Sequence, residues 1–504
     1  MSRFKNITLQ IHNLSGSVLS LMFVIWFLSG FVLIFAGFPH ASKEERFLHL
    51  SFLTKSDFDS IQAPSESFSG EIELEKMNGN PVYRVYSGRK SQKVYNAVSL
   101  NESEKATEKE AVNLAEDFTG AKLQSVEKIE ELDQWIPWDY YNPLLPVYKC
   151  YLNDKDHTRI YISEKTGSII QETTRKSRWA ARLGAIPHWI YFKSLRLQKG
   201  LWLKVVAWIS FLGILVSITG LVAGFIRLKK RKKNSLWTEF SPYKKFWYKW
   251  HHITGFLFGF FVFTFILSGF FSVVDIPKSL VPVHAKVSAA KVWNQKPDAK
   301  QHAAISMSDL WNAVKGEKPI RKVVWKTVMN QACFWVYRDQ FELPDVYVAG
   351  ADGVFAKSDY SEKEISSWCK TAFAGTNYDL KELNEFDAYY QKNGMWERPL
   401  PVWQLSLHDA DHTCMYIHPK TGEVIKSYNS SDRGRRWLYK SLHTLDFPFL
   451  KQHEWLRKFL LLFLSLGGTV VSVSGFVLGI KWIRRKAKKS LPVRLKPVKI
   501  KSND

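Results

Sequence analysis

The sequence predicts an α-helical membrane protein with four transmembrane helices in two parallel repeats, plus two extracytoplasmic α+β domains. Three observations predict it. The 504-residue chain holds four apolar runs without a formal charge. Its sequence repeats at fixed offsets. Its cations gather beside the ends of the apolar runs.

The runs are Val18–Phe38, Val205–Ile226, Ile253–Val274 and Phe459–Ile480, and none contains Asp, Glu, Lys or Arg. Each holds about 21 or 22 residues, enough to cross a hydrocarbon core of roughly 30 Å. The first run exceeds the apolar stretch of a signal peptide, about 7–15 residues. It also matches the third run, which lies mid-chain, so it is expected to be a retained helix.

The formal net charge is +24. Arg227–Lys249 supplies nine cations, Lys481–Lys501 supplies ten, and Arg3 and Lys5 precede the first run. Only Glu239 and Asp504 oppose them. Cations clustered at helix ends set orientation by the positive-inside bias. Both termini and the loop between the second and third runs are therefore expected in the cytoplasm. The same clustering argues against nucleic acid as a partner and points to membrane lipid. The expected division is an N-terminal tail with helix one at 1–38, a first outer domain at 39–200 and helix two at 201–227. A basic loop follows at 228–250, then helix three at 251–274, a second outer domain at 275–457, helix four at 458–482 and a basic tail at 483–504.

Within the outer segments, Glu71–Ser87 reads as a hairpin about Asn78-Gly79-Asn80, and Lys105–Phe118 has helical spacing. Two later stretches read as strands with Thr166-Gly167 and Thr421-Gly422 turns. All four cysteines, Cys150, Cys333, Cys369 and Cys414, fall in these segments. Their spacing demands neither disulfides nor a zinc site.

The repeat is direct. Leu145–Ile170 aligns without a gap on Leu400–Ile425, with 14 of 26 positions identical at an offset of 255. That offset also carries His188 onto His443 and Ser217–Gly224 onto Ser472–Gly479. A second offset, 239, sets His12 and Gly16 on His251 and Gly255, and Leu28-Ser29-Gly30 on Leu267-Ser268-Gly269. Two spanning helices per copy give both copies one orientation, so their symmetry axis follows the membrane normal. His12 and His251 then share one depth, and His188 and His443 another.

Paired histidines at two depths suit low-spin haem, whose iron takes an axial imidazole on each side. Two b-type haems are expected, non-covalently held, because no CxxCH attachment motif occurs. The candidate iron ligands are His12, His251, His188 and His443. Interfacial anchoring of the four rings is the plainer alternative. Gly16 and Gly255 lie one helical turn after His12 and His251, where a flat macrocycle could approach the backbone. The Ser29-Gly30 and Ser268-Gly269 pairs, with Gly220 and Gly475, read better as close helix packing. His252 competes with His251, and His40, His49 and His284 compete for the outer level. His157 and His412 repeat within turns. Trp135, Trp138, Tyr140, Tyr141, Tyr389, Tyr390 and Trp396 form matching aromatic stretches, either domain core or the lining of a docking cleft.

HNLSG and HHITG, each opening a helix that carries LSG, the PVYKCYL…TG and PVWQLSL…TG segments, and the histidines before SITG and SVSG resemble the PepSY-associated transmembrane family. The resemblance covers essentially the whole chain. It implies a multi-pass protein of the bacterial inner membrane with two PepSY-type periplasmic domains. It also implies a link to iron uptake, with oxidoreductase activity as a haem-containing ferric-siderophore reductase. His252 departs from the pattern, since the family often has Arg or Lys after the first histidine. No glycine-rich nucleotide fingerprint is present, so the electron donor is expected to be a separate cytoplasmic reductase or quinol. The substrate would be a ferric siderophore or another ferric chelate, and no catalytic residue is assigned. The alternatives are a non-enzymatic PepSY membrane protein that binds or regulates a periplasmic peptidase, and a transporter with parallel repeats. Charge-free spanning helices argue against the transporter.

Overall fold

Four long helices organise the chain: α1 (Ser2–Leu33), α2 (Lys199–Ile226), α3 (Phe246–Val273) and α4 (Glu454–Ser490). Each is long and apolar enough to cross a membrane. The structure is a computed structural model and describes residues 2–88, 92–227, 241–277, 279, 281–391 and 398–490. The basic stretch 228–233, the tail beyond 490 and Trp396 lie outside the described residues.

The helices close into a ring. α1 packs on α2 and α4, and α3 packs on the same two, so α1 and α3 face each other across the diagonal. Small residues set the approach. A Cβ on Gly479 of α4 would sit 2.8 Å from Ser17 Cα of α1, and one on Gly259 of α3 would sit 3.0 Å from Leu221 of α2. Van der Waals packing of this kind substitutes for the hydrophobic drive that lipid removes. Between the ends, Leu19, Phe23, Phe27, Ile214, Val262 and Ile266 fill the ring with apolar side chains.

Helix α1 differs from the apolar run that announced it. It begins at Ser2, enclosing His12, and ends at Leu33 rather than Phe38. Pro39 disfavours helical backbone at the residue before it. Phe38 instead turns outward and packs edge-on against Trp138, with ring centroids 4.9 Å apart.

The segments between α1 and α2, and between α3 and α4, are rich in strand. The first holds β1 (Glu71–Met77), β2 (Asn80–Tyr86), β3 (Gln92–Asn96), β4 (Leu123–Ile129), β5 (Val147–Leu152), β6 (Arg159–Ser163) and β7 (Ile169–Thr173). The second holds β8 (Asn294–Gln295), β9 (Lys322–Val328), β10 (Gln331–Tyr337), β11 (Asp345–Gly350), β12 (Gly353–Ala356), β13 (Tyr378–Leu383), β14 (Val402–Leu407), β15 (Cys414–Ile417) and β16 (Val424–Tyr428). β4–β7 and β13–β16 are antiparallel four-stranded sheets, one in each segment.

The remaining strands join the two outer segments. They form one eight-stranded sheet, ordered β12-β11-β10-β9-β1-β2-β3 with β8 on β9. The segments meet where β1 pairs antiparallel with β9, Glu73 opposite Val324. Alternation of side chains predicts which face of a strand is buried, but not which strand lies beside it. On the buried face, Ile72, Leu74, Tyr83, Trp325 and Phe334 are shielded completely. On the other face, Glu73 pairs with Lys322 at 3.2 Å and Glu71 with Lys326 at 2.6 Å, both across the junction. Glu75 pairs with Arg84 in a nearly buried contact. The turns match: Asn78 and Gly79 between β1 and β2, and Met329 and Asn330 between β9 and β10, all have positive φ. Two consecutive left-handed residues give the turn whose twist suits a tight hairpin.

The aromatic stretches serve mainly as core. Trp135, Tyr141 and Tyr390 are buried. Trp138 stacks on Tyr140 at 5.7 Å. Among the described residues of these stretches, only Tyr140 and Tyr141 also border the large cleft, about 1100 Å³, beside the β1 carboxylates. The four cysteines are buried and unpaired with one another.

Because Trp325 packs against Tyr83 of the other segment at 5.5 Å, its loss should be felt by both. Trp325→Ala is expected to cost about 3–5 kcal/mol, the usual range for emptying a large core position. Limited proteolysis should then cut both segments faster. Accelerated cleavage confined to residues 275–457 would mean the junction transmits nothing.

Candidate functional site

The four predicted histidines meet as two pairs. His12 of α1 and His251 of α3 face each other across the ring diagonal, with ring centroids 6.2 Å apart and planes 32° from parallel. His188 and His443 form the second pair, with centroids 6.0 Å apart at 66°. The first pair comes from the N-terminal parts of α1 and α3. The second comes from short helical segments, Ala185–Trp189 and Leu442–Thr444, that precede α2 and α4. His188 reaches Ser29 near the far end of α1. With a rise of about 1.5 Å per residue, the two levels lie roughly 25 Å apart along α1.

Each ring is held by its Nδ1. His12 Nδ1 lies 3.2 Å from the Val216 carbonyl of α2. His188 Nδ1 lies 3.1 Å from both the Trp26 carbonyl and Ser29 Oγ. His443 Nδ1 lies 3.2 Å from the Phe265 carbonyl and 3.0 Å from Ser268 Oγ. His251 Nδ1 lies 2.9 Å from Ser474 Oγ. Carbonyl oxygens only accept, so three of the Nδ1 atoms must carry the proton. The serines give the same answer. Ser29, Ser268 and Ser474 each donate their hydroxyl proton to the carbonyl three residues back. Each is left to accept from its histidine. The network therefore assigns Nδ1–H to all four rings and an unprotonated Nε2 to each. Fixing the tautomer through the far nitrogen is how proteins prepare histidine to bind a metal.

Glycine adjoins every ring, and at His12 and His251 its missing side chain makes room. A Cβ on Gly220 would fall 2.8 Å from His12 Cε1, and one on Gly475 would fall 3.3 Å from His251 Cε1. At the other level, a Cβ on Gly30 or Gly269 would lie 3.7 Å from Cε1 of His188 or His443. Gly220 and Gly475, read from sequence as helix-packing residues, also leave room for their imidazoles, whereas Gly30 and Gly269 meet theirs at ordinary contact distance. Gly16 and Gly255 contact little; both line a cavity of about 430 Å³ that opens beside His12 and His251. The backbone just past the second pair is constrained as well. Ile190 and Leu445, each two residues after its histidine, adopt left-handed φ of 54° and 51°. For a β-branched residue that conformation costs on the order of 1–3 kcal/mol.

Of the competing histidines, His252 lines the cavity beside His12 and His251, and the others lie elsewhere. His49 packs against Phe118 at 4.7 Å. His40 sits near the Phe38 carbonyl. His284 joins the buried Asp411 at 2.9 Å. His252 turns away from His12, its Nε2 3.2 Å from the Gly224 carbonyl. His157 and His412 occupy left-handed turns closed by Asp154 onto Thr158 and by Asp409 onto Thr413.

The donor set restricts what could bind. Among the described residues, no three of His, Cys, Asp and Glu gather in a group able to hold a metal ion. Each site offers two nitrogens, so a bound metal must bring its other ligands with it. With a metal–imidazole bond of roughly 2.0–2.1 Å and a ring radius of about 1.2 Å, rings on opposite sides of one metal have centroids about 6.4 Å apart. Both pairs are close to that spacing. The residues thus fit a planar metallo-macrocycle taking an imidazole on each face.

Apolar helices around two imidazole pairs, below a β-rich region, define a multi-pass membrane protein. A family model described as the PepSY-associated TM region matches residues 9–485, and the chain belongs to that family. No curated protein matches it.

The glycine contacts predict an asymmetry. Gly220→Ala forces His12 or α2 to move and should cost about 1–3 kcal/mol, as overpacking does. Gly30→Ala and Gly269→Ala meet only ordinary contact distances. They should be neutral or stabilising, since alanine is favoured over glycine inside a helix by about 0.5–1 kcal/mol. Thermal denaturation of the solubilised protein reads the difference. Equal losses at Gly220 and Gly30 would contradict it.

Proposed function

We propose that this protein is a two-haem electron carrier that delivers electrons across the bacterial inner membrane to a ferric chelate. The supporting observation is the matched pair of imidazole pairs, each ring with its Nε2 free and its Nδ1 proton committed. In this reading the chain is two parallel copies of a two-helix unit, with both termini cytoplasmic and two PepSY-type regions in the periplasm. His12 and His251 hold one haem b, and His188 and His443 the other. Bound there, haem supplies one-electron redox chemistry.

The chain's own residues have definable tasks. Val216, Ser474, Trp26, Ser29, Phe265 and Ser268 fix ring orientation and the donor lone pair. Gly220 and Gly475 leave room for the rings of His12 and His251. Phe23, Phe27 and Phe265 fill the space between levels and exclude water, with Phe27 and Phe265 at a ring distance of 6.0 Å. One electron reduces Fe(III) in the chelate to Fe(II), which oxygen-rich chelators of the siderophore type hold more weakly. The donor is a cytoplasmic reductase or quinol.

Purified protein should contain two haems per chain by pyridine haemochrome assay. His12→Ala and His251→Ala should lose the same haem, and His188→Ala and His443→Ala the other. His252→Ala should retain both. Absence of haem after expression with haem supplied would end the proposal. Dithionite-reduced protein should be reoxidised by ferric siderophores, with Fe(II) trapped by a ferrous chelator. No reoxidation by ferric hydroxamates, catecholates or citrate would remove the reductase assignment and leave the haem assignment standing.

A further inference from the structure

Four arginines, Arg159, Arg175, Arg178 and Arg182, line one cavity of about 270 Å³ with His157 and Trp179. Among the described residues no carboxylate lines it, and none of the four guanidiniums forms an ion pair. Asp154 acts on Arg178 without bonding to it, but the four cations outnumber it, and their mutual repulsion has a cost that an anion would remove. Arg178 is 5% exposed. Its burial, with Arg159 and Arg182 nearby, pushes its pKa down to about 10. Aromatic rings hold Arg159 and Arg182 in place without neutralising them. Arg159 lies 4.9 Å over Tyr151, and Arg182 lies 5.2 Å over Trp179.

The sequence repeat supplies an internal control. Arg178 donates from Nη1 to the Thr173 carbonyl at 2.9 Å and from Nη2 to the His157 carbonyl at 2.8 Å. At offset 255 stands Arg433, whose Nη1 donates to the His412 carbonyl at 2.6 Å. That arginine is a shared structural brace. The other three have no such counterpart: Cys414, Ser430 and Trp437 occupy the matching positions. The second copy builds the same turn and helix start without them, so the fold does not require Arg159, Arg175 or Arg182.

Position narrows the ligand. The helix Arg175–Leu183 runs into Gly184, where a Cβ would lie 2.9 Å from Val32 at the end of α1. The cavity therefore sits at the level where a spanning helix leaves the membrane. Trp179 is 53% and Leu183 62% exposed on that helix. Exposed tryptophan at this depth is an interfacial anchor. Guanidinium forks match phosphate oxygens two at a time.

We propose that this arginine cavity binds a phosphate-type oxyanion, supplied by the phosphodiester headgroup of an anionic lipid. Free phosphate offers the same oxygens from solution, and the experiment separates the two. Full-length protein in neutral detergent is loaded with phosphatidylglycerol or phosphatidylcholine and examined by native mass spectrometry. Isothermal titration with inorganic phosphate forms the second arm. The variant Arg159→Ser/Arg175→Ser leaves the Arg178 brace intact, and Arg159→Lys/Arg175→Lys keeps the charge. The wild type should retain one more phosphatidylglycerol per chain than the serine variant, with phosphatidylcholine unaffected and the lysine variant in between. Lipid held by the basic segments is common to all and cancels. Unchanged lipid retention with phosphate binding weakened at least tenfold would uphold the site and assign it to a soluble anion. If neither lipid count nor phosphate affinity differs between wild type and serine variant, the proposal is overturned. Where the double variant does not fold, Arg175→Ser alone, at an exposed position, makes the same comparison.

Discussion

Everything in this protein is arranged around imidazole rings that cannot turn. Each Nδ1–H is spent on a carbonyl or serine oxygen of a neighbouring helix. Releasing such a bond would leave a buried polar group unpaired, at about 1–3 kcal/mol. Rotation of one ring is thereby tied to the backbone of a neighbouring helix: His12 to α2 through Val216, and His251 to α4 through Ser474. The helix ring and the ring pairs hold each other in register.

The same logic explains the small residues. At 29–30 and 268–269 the serine supplies an acceptor, and the glycine beside it lies in ordinary contact with the ring. The acceptor must be an oxygen whose own proton is already committed, and serine in a helix meets that by bonding back to the preceding turn. Cysteine or alanine would keep the packing and lose the acceptor.

Much of this was legible in the sequence, for identifiable reasons. The spanning helices followed from charge-free length. The histidine partners followed from internal offsets, because repeated residues share a depth when two copies share an axis, and those that face the axis meet. The tight fit of Gly220 on His12 and of Gly475 on His251 was not visible. Helix packing and ring seating both call for a missing side chain, and only the three-dimensional neighbours distinguish them. The β1–β9 junction was invisible, since strand alternation carries no information about partners far along the chain. The arginine cavity was overlooked because its members come from β6 and from a helix start 16 to 23 residues later. A comparison of the copies for what differs, rather than what recurs, would have exposed it.

The junction of the large sheet also sets a timetable for synthesis. Glu73 pairs with Val324, so β1 waits for a partner some 251 residues downstream. At roughly 5–20 residues per second, that wait is about 13–50 s. Throughout it, the first segment carries an open strand edge and a half-covered apolar face, the kind of surface that recruits wrong partners. Two further spanning helices must be made before β9 appears. The nascent chain thus needs shelter on the strand-bearing side of the membrane until its own second half arrives to close the sheet.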